Sequence, residues 1–149
     1  MYTYLDQPVA RLTIGSKLLV CVTRAWARAR IRGECPLHAV APALRRCGAG
    51  AALPAIHRLL TLIEGDIAGT VLDLPPPDAP RLDDLEAVLL TLWSDALHAP
   101  ARARATLTLM LGRDGNENET GIAAFEALTT AAARLVRCGL PPIGLTVHA

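Results

Sequence analysis

The chain has 149 residues, 52% of them hydrophobic but only 3% aromatic, with a formal net charge of +1. That length suits a single domain able to bury about two-thirds of its unfolded surface. The near-neutral sum excludes a uniformly basic or acidic protein, yet it hides two opposed halves: residues 1–60 carry nine basic and two acidic side chains, for +7, and residues 61–149 carry six and twelve, for −6.

Such polarity implies that the halves face one another or that one of them meets an oppositely charged partner. Few aromatics mean a core built mainly from Leu, Val and Ile, with Ala supplying helix propensity more than volume. No membrane span is expected, because the most apolar stretch, Leu53 to Leu74, is interrupted by His57, Arg58, Glu64 and Asp66. The first residues, MYTYLDQPVARL, lack the basic and long apolar regions of a secretory signal, so a cytoplasmic location is expected. Four cysteines (Cys21, Cys35, Cys47, Cys138) are too few for a disulfide scaffold and are expected to be reduced.

In chain order, VARLTI (Val9 to Ile14) leans weakly towards strand. Apolar spacing at Leu18, Leu19, Val22, Trp26 and Ala29 predicts a first helix over Lys17 to Arg32, stopped by Gly33. Pro36 opens a second helix that runs to Cys47, with Pro42 as an interior kink. A third, Pro54 to Ala68, is apolar nearly all round and is placed centrally. LDLPPPDAP (Leu72 to Pro80) reads as a proline-rich internal linker over 72–81. Asp83, with Glu86 three residues on, predicts a capping box and a helix to Leu97. Pro100 opens a fifth helix ending at Leu111, although ATLTLML within it alternates like a strand. RDGNENETG (Arg113 to Gly121) is a loop that only faintly resembles a calcium site. Asn118 or Thr120 caps a last helix closing at Cys138–Gly139, and 140–149 form a tail. The expectation is an all-α bundle of five to six helices in a single domain.

The succession RRCGAG, LPAIHRLLTLIEGDIAGT, a proline-rich linker, RLDDLEAVLLTL, ARATLTLMLG and a final Ala-rich helix ending in CGLPP resembles an uncharacterised bacterial family of small helical proteins. The resemblance covers roughly residues 18–143, implies a helical fold and carries no activity. Family members have a cysteine run in the linker, where this chain has PPPDAP.

Two groups of residues stand out as candidate sites. Cys35, His38, Cys47 and His57 are ligand types that suit zinc, and Cys-x-x-His spans one helical turn. Their spacing matches no known zinc module, and packing of Cys47 as a small hydrophobe is the plainer reading. Cys35–Pro36 also matches a heme-responsive dipeptide, and Cys35 with Cys47 forms a candidate redox pair. The second group is basic: Lys17, Arg24 and Arg28 share one side of the first helix, and Arg45 and Arg46 follow on the next. They form a candidate patch for anions or for a partner. No recognition helix and no stacking aromatics accompany them, so nucleic acid is the less favoured partner. Glu64 and Asp66 are placed on a wet edge of the third helix, with Arg58 or a first-helix arginine as partners should they be buried.

No nucleophile elbow, Walker loop, H-E-x-x-H or dinucleotide fingerprint is present. The expectation is therefore a non-enzymatic regulatory or adaptor module that binds a protein partner or forms a homo-dimer. Zinc or redox sensing, and nucleic-acid binding, are the alternatives.

Overall fold

The computed structural model describes residues 4–66, 72–111 and 118–142. Among these, six α-helices follow in order: α1 (Ile14–Arg32), α2 (Pro36–Arg46), α3 (Leu53–Asp66), α4 (Asp84–His98), α5 (Pro100–Leu111) and α6 (Glu119–Arg137). One apolar cluster runs through all of them, with Trp26, Leu44, Ile63, Leu92, Leu107 and Leu128 among its buried members. The fold is all-α, and no helix is long and apolar enough to cross a membrane among the described residues.

Local chemistry sets most boundaries. Helix α1 starts three residues earlier than the apolar spacing indicates, because the Thr13 side chain accepts from Ser16 N–H at 3.4 Å and caps it. VARLTI is not extended throughout: a 3₁₀ turn occupies Val9–Arg11, and Leu12 is buried just before the cap. Gly33 ends α1 at φ 71°, where a side chain would be strained. Pro42 lies on the exposed side of α2, opposite buried Val40, Ala41 and Leu44. The helix continues past it and forgoes one backbone hydrogen bond. Asp83 and Glu86 form the expected reciprocal capping box on α4.

The fifth helix forms as expected across ATLTLML despite its strand-like alternation: Ala103, Leu107 and Leu111 are buried at i, i+4 and i+8, while Leu109 is 75% exposed. Thr106 and Thr108 each donate to the carbonyl four residues back, which satisfies their hydroxyls within the helix. One expectation is corrected: α3 is not the hub. That place belongs to α6, which packs on α3, α4 and α5, with α3 its largest interface. Its buried face is Ala124, Ala127, Ala131 and Ala132 with Leu128 and Leu135, and small side chains let three neighbours approach closely.

The segment after residue 72 is a strap rather than a loose linker. Val9 N–H donates to Pro80 O at 2.8 Å and Leu82 N–H to Gln7 O at 3.0 Å, an isolated antiparallel bridge that ties the strap to the start of the chain. Leu72 and Leu82 are buried at its two ends. Gly139, at φ 74°, turns the chain out of α6 and lays Leu140 and Pro141 against Gly15 of α1. Most of the expected tail, from residue 143 on, and most of the loop at 113–121 lie outside the described residues.

Candidate functional site

The Cys/His group does not come together. Cys35 and Cys47 flank opposite ends of α2, twelve residues apart and therefore about 18 Å along a helix. A disulfide needs Cα atoms within about 7 Å, so neither a redox pair nor a shared metal is formed by this geometry. Both thiols and His38 are exposed. Among the described residues, no three His, Cys, Asp or Glu side chains are arranged to hold a metal ion.

His57 has another role. Trp26 Nε1–H donates to its Nδ1 at 3.0 Å, which leaves that nitrogen unprotonated. Burial, and then the nearby Arg30 charge, lower its pKa below the ordinary imidazole value. Arg30 itself lies 5.9 Å from the Trp26 ring centre and donates twice to Glu64 Oε1, at 2.7 and 2.9 Å. Glu64 is thus buried rather than on a wet edge, with a first-helix arginine as its partner, and its Oε2 has no hydrogen-bond partner among the described residues. The side chain of Asp66 lies outside the description.

The basic group separates into two roles. Arg24 does fall between Lys17 and Arg28 on the outer side of α1, but the strap covers it and leaves it 2% exposed. All five guanidinium N–H donors are used. Nε and Nη2 donate to the two carboxylate oxygens of Glu86, at 2.7 and 3.0 Å; Nη1 and Nη2 also reach the carbonyls of Ala79 at 2.8 Å, Arg81 at 3.0 Å and Pro77 at 3.5 Å. Arg24 is therefore withdrawn from any binding surface. Lys17, Arg28, Arg45 and Arg46 remain exposed.

The opposed halves do meet inside the chain, through Arg24–Glu86 and Arg30–Glu64. These pairs use two of the nine basic side chains in the first 60 residues. The other seven (Arg11, Lys17, Arg28, Arg32, Arg45, Arg46 and Arg58) are exposed and make no salt bridge among the described residues.

A cleft of about 250 Å³ lies beside part of this surface, between α3 and α6. Pro54, Ala55 and Arg58 form one wall, and Glu126, Ala127, Thr130 and Arg134 the other. Arg134 Nη1 donates to Ala51 O at 2.9 Å, and Arg45 stands next to that turn, where a Cβ on Gly50 would come within 3.8 Å of its Cγ. Sequence reading missed Arg134 as a site residue. The available signal was the i, i+4, i+8 spacing of Glu126, Thr130 and Arg134, which lines one face of a helix. A second groove, about 240 Å³, runs between α4 and α5 past Val88, Thr91, Arg102 and Thr106. Arg102 is engaged there, held by both oxygens of Asp95 at 2.6 and 2.9 Å. No family model, no curated protein and no solved structure matches the chain.

Proposed function

We propose that the protein is a small non-enzymatic adaptor or regulatory module that engages the acidic surface of a protein partner through its exposed arginines. The observation that carries this reading is the set of seven exposed basic side chains in the first 60 residues with no salt bridge among the described residues. Charges left in water do little for the fold, so replacing them isolates binding from stability. A surface of this kind speeds encounter with an oppositely charged partner and weakens with salt, because screening acts over about 8 Å at physiological ionic strength. A second copy, offering its acidic half, is one such partner.

The test is fluorescence anisotropy of a labelled octaglutamate peptide against the wild-type chain and an R28E/R45E/R46E variant, at low and physiological salt. Binding that falls with salt and is weakened in the variant supports the reading. No binding to the wild type at low salt overturns it. Tighter binding of a generic DNA duplex than of the peptide would replace it with nucleic-acid recognition. Sedimentation of the chain alone then tells whether it also serves as its own partner.

A further inference from the structure

We propose that the α3–α6 cleft is the seat of this engagement, and that it takes a partner segment in which an acidic side chain stands beside a hydrogen-bond donor. This rests on the reading above and narrows it to a site and a ligand chemistry. The cleft has room for one or two side chains, less than the 300 Å³ or more typical of pockets for drug-sized molecules. Its walls belong to the two helices with the largest interface, so its shape is held by the core.

The polar groups in it are of both signs. Arg58 and Arg134 stand on opposite walls, each presenting a planar fork suited to a carboxylate. Arg134 is anchored by its bond to Ala51 O, which restrains the side chain before any ligand arrives and leaves its remaining donors for one. Arg45, next to the same turn, adds a third positive charge nearby. Pro54, Ala55 and Ala127 are short and allow a peptide backbone to come close.

Glu126 decides between ligands. A carboxylate in the wall of the cleft makes a continuous polyanion, such as a nucleic-acid backbone or a run of glutamates, the weaker of two ligands that the arginines attract. It accepts instead from a backbone N–H or a lysine next to the bound acid. The geometry therefore favours a segment of mixed charge over a purely acidic one.

The probes are two labelled octapeptides, one alternating Glu and Lys and one of Glu alone, titrated against four forms of the full chain: wild type, R58A/R134A, E126Q and R28E/R45E/R46E. Circular dichroism confirms that each variant is folded, as surface changes of this kind should allow. We expect R58A/R134A to weaken the alternating peptide about tenfold or more, the loss of two charge-assisted contacts. We expect E126Q to tighten octaglutamate relative to the alternating peptide. Unchanged binding of the alternating peptide to R58A/R134A overturns the site, and if R28E/R45E/R46E has meanwhile lost it, the broader charge-driven reading stands. Failure of the wild type to bind either peptide overturns both. Equal displacement of the alternating peptide by free glutamate would assign the cleft to a small acid and overturn its role as a peptide seat.

Discussion

Arg24 and Glu86, 62 positions apart in sequence, form a buried pair in which both carboxylate oxygens meet the guanidinium at 2.7 and 3.0 Å. Glu86 serves a second purpose, since its Oε1 also accepts from Asp83 N–H at 3.2 Å and closes the cap of α4. One carboxylate thus fixes the start of a helix and neutralises a charge on another. Three carbonyls of the strap complete the shell around Arg24, so the same residue holds 77–81 against α1.

Removing one partner of this pair should be costly, because the other is left charged and dry. We expect R24M or E86L to destabilise the fold by about 3–5 kcal/mol. The double variant R24M/E86L should recover only part, since the strap carbonyls stay unpaired. Urea denaturation of the three variants measures this. An R24M variant within about 1 kcal/mol of wild type would mean that the strap is held by other contacts.

Gly15 and Gly65 should respond in opposite directions to the same change. A Cβ on Gly15 would come 2.7 Å from Leu140 O and collide with Pro141 O, so G15A should cost about 1–3 kcal/mol by pushing 140–141 off α1. Among the described residues nothing lies within 4 Å of a Cβ on Gly65, near the end of α3. There G65A should stabilise by up to about 1 kcal/mol through helix propensity and lost unfolded-state freedom. Thermal melts of the two variants, side by side, decide the matter.

His57 should make stability depend on pH in a defined direction. Its folded-state pKa is lowered, by burial first and Arg30 second, so the unfolded chain takes up the proton before the folded one does. The contribution of this residue is therefore complete above its ordinary value near 6.5 and is lost as pH falls from there towards the folded value. Between pH 7.5 and 5.5 the melting temperature should fall further for wild type than for H57Q. Equal falls would show that Trp26 and His57 are not coupled to protonation.

Asn118 joins two helices with one side chain. Its Oδ1 accepts from Gly121 N–H at 2.8 Å to cap α6, and its Nδ2 donates to Leu111 O at 3.0 Å at the end of α5. N118A should cost about 1–2 kcal/mol. N118D keeps the cap and loses the donor, so it should fall between N118A and wild type in urea melts. If N118D matches N118A, the bond to Leu111 dominates and the cap adds nothing.

Much of the fold was legible because its signals are local. Pro36 and Pro100 start helices, Gly33 and Gly139 end them, and the Asp83–Glu86 box marks α4, all through interactions spanning a few residues. The strand-like alternation of ATLTLML did not displace the helix that Pro100 opens. A period of two over seven residues also places Leu107 and Leu111 one helical turn apart, and the buried face of α6 selected the helix.

The candidate sites were less legible, because each depends on which surface is covered. Lys17, Arg24 and Arg28 do share one side of α1, as helical geometry requires, yet the strap buries only Arg24. Cys35 and Cys47 were each visible in sequence, and the continuity of α2 through Pro42 is what keeps them apart. The cleft at Arg58 and Arg134 joins residues 76 positions apart, a proximity that no local pattern encodes.

By itself, then, the sequence determined the six helices, the caps of α4 and α6 and the opposed charge of the two halves, since these depend on side chains within a turn or two and on composition. Tertiary structure alone decided which charges are spent inside the molecule and which stay exposed. Burying a charge is tolerable only where a long-range partner meets it, as Glu86 meets Arg24 and Arg30 meets Glu64, and packing of α1 against α3, α4 and the strap is what brings those partners within reach.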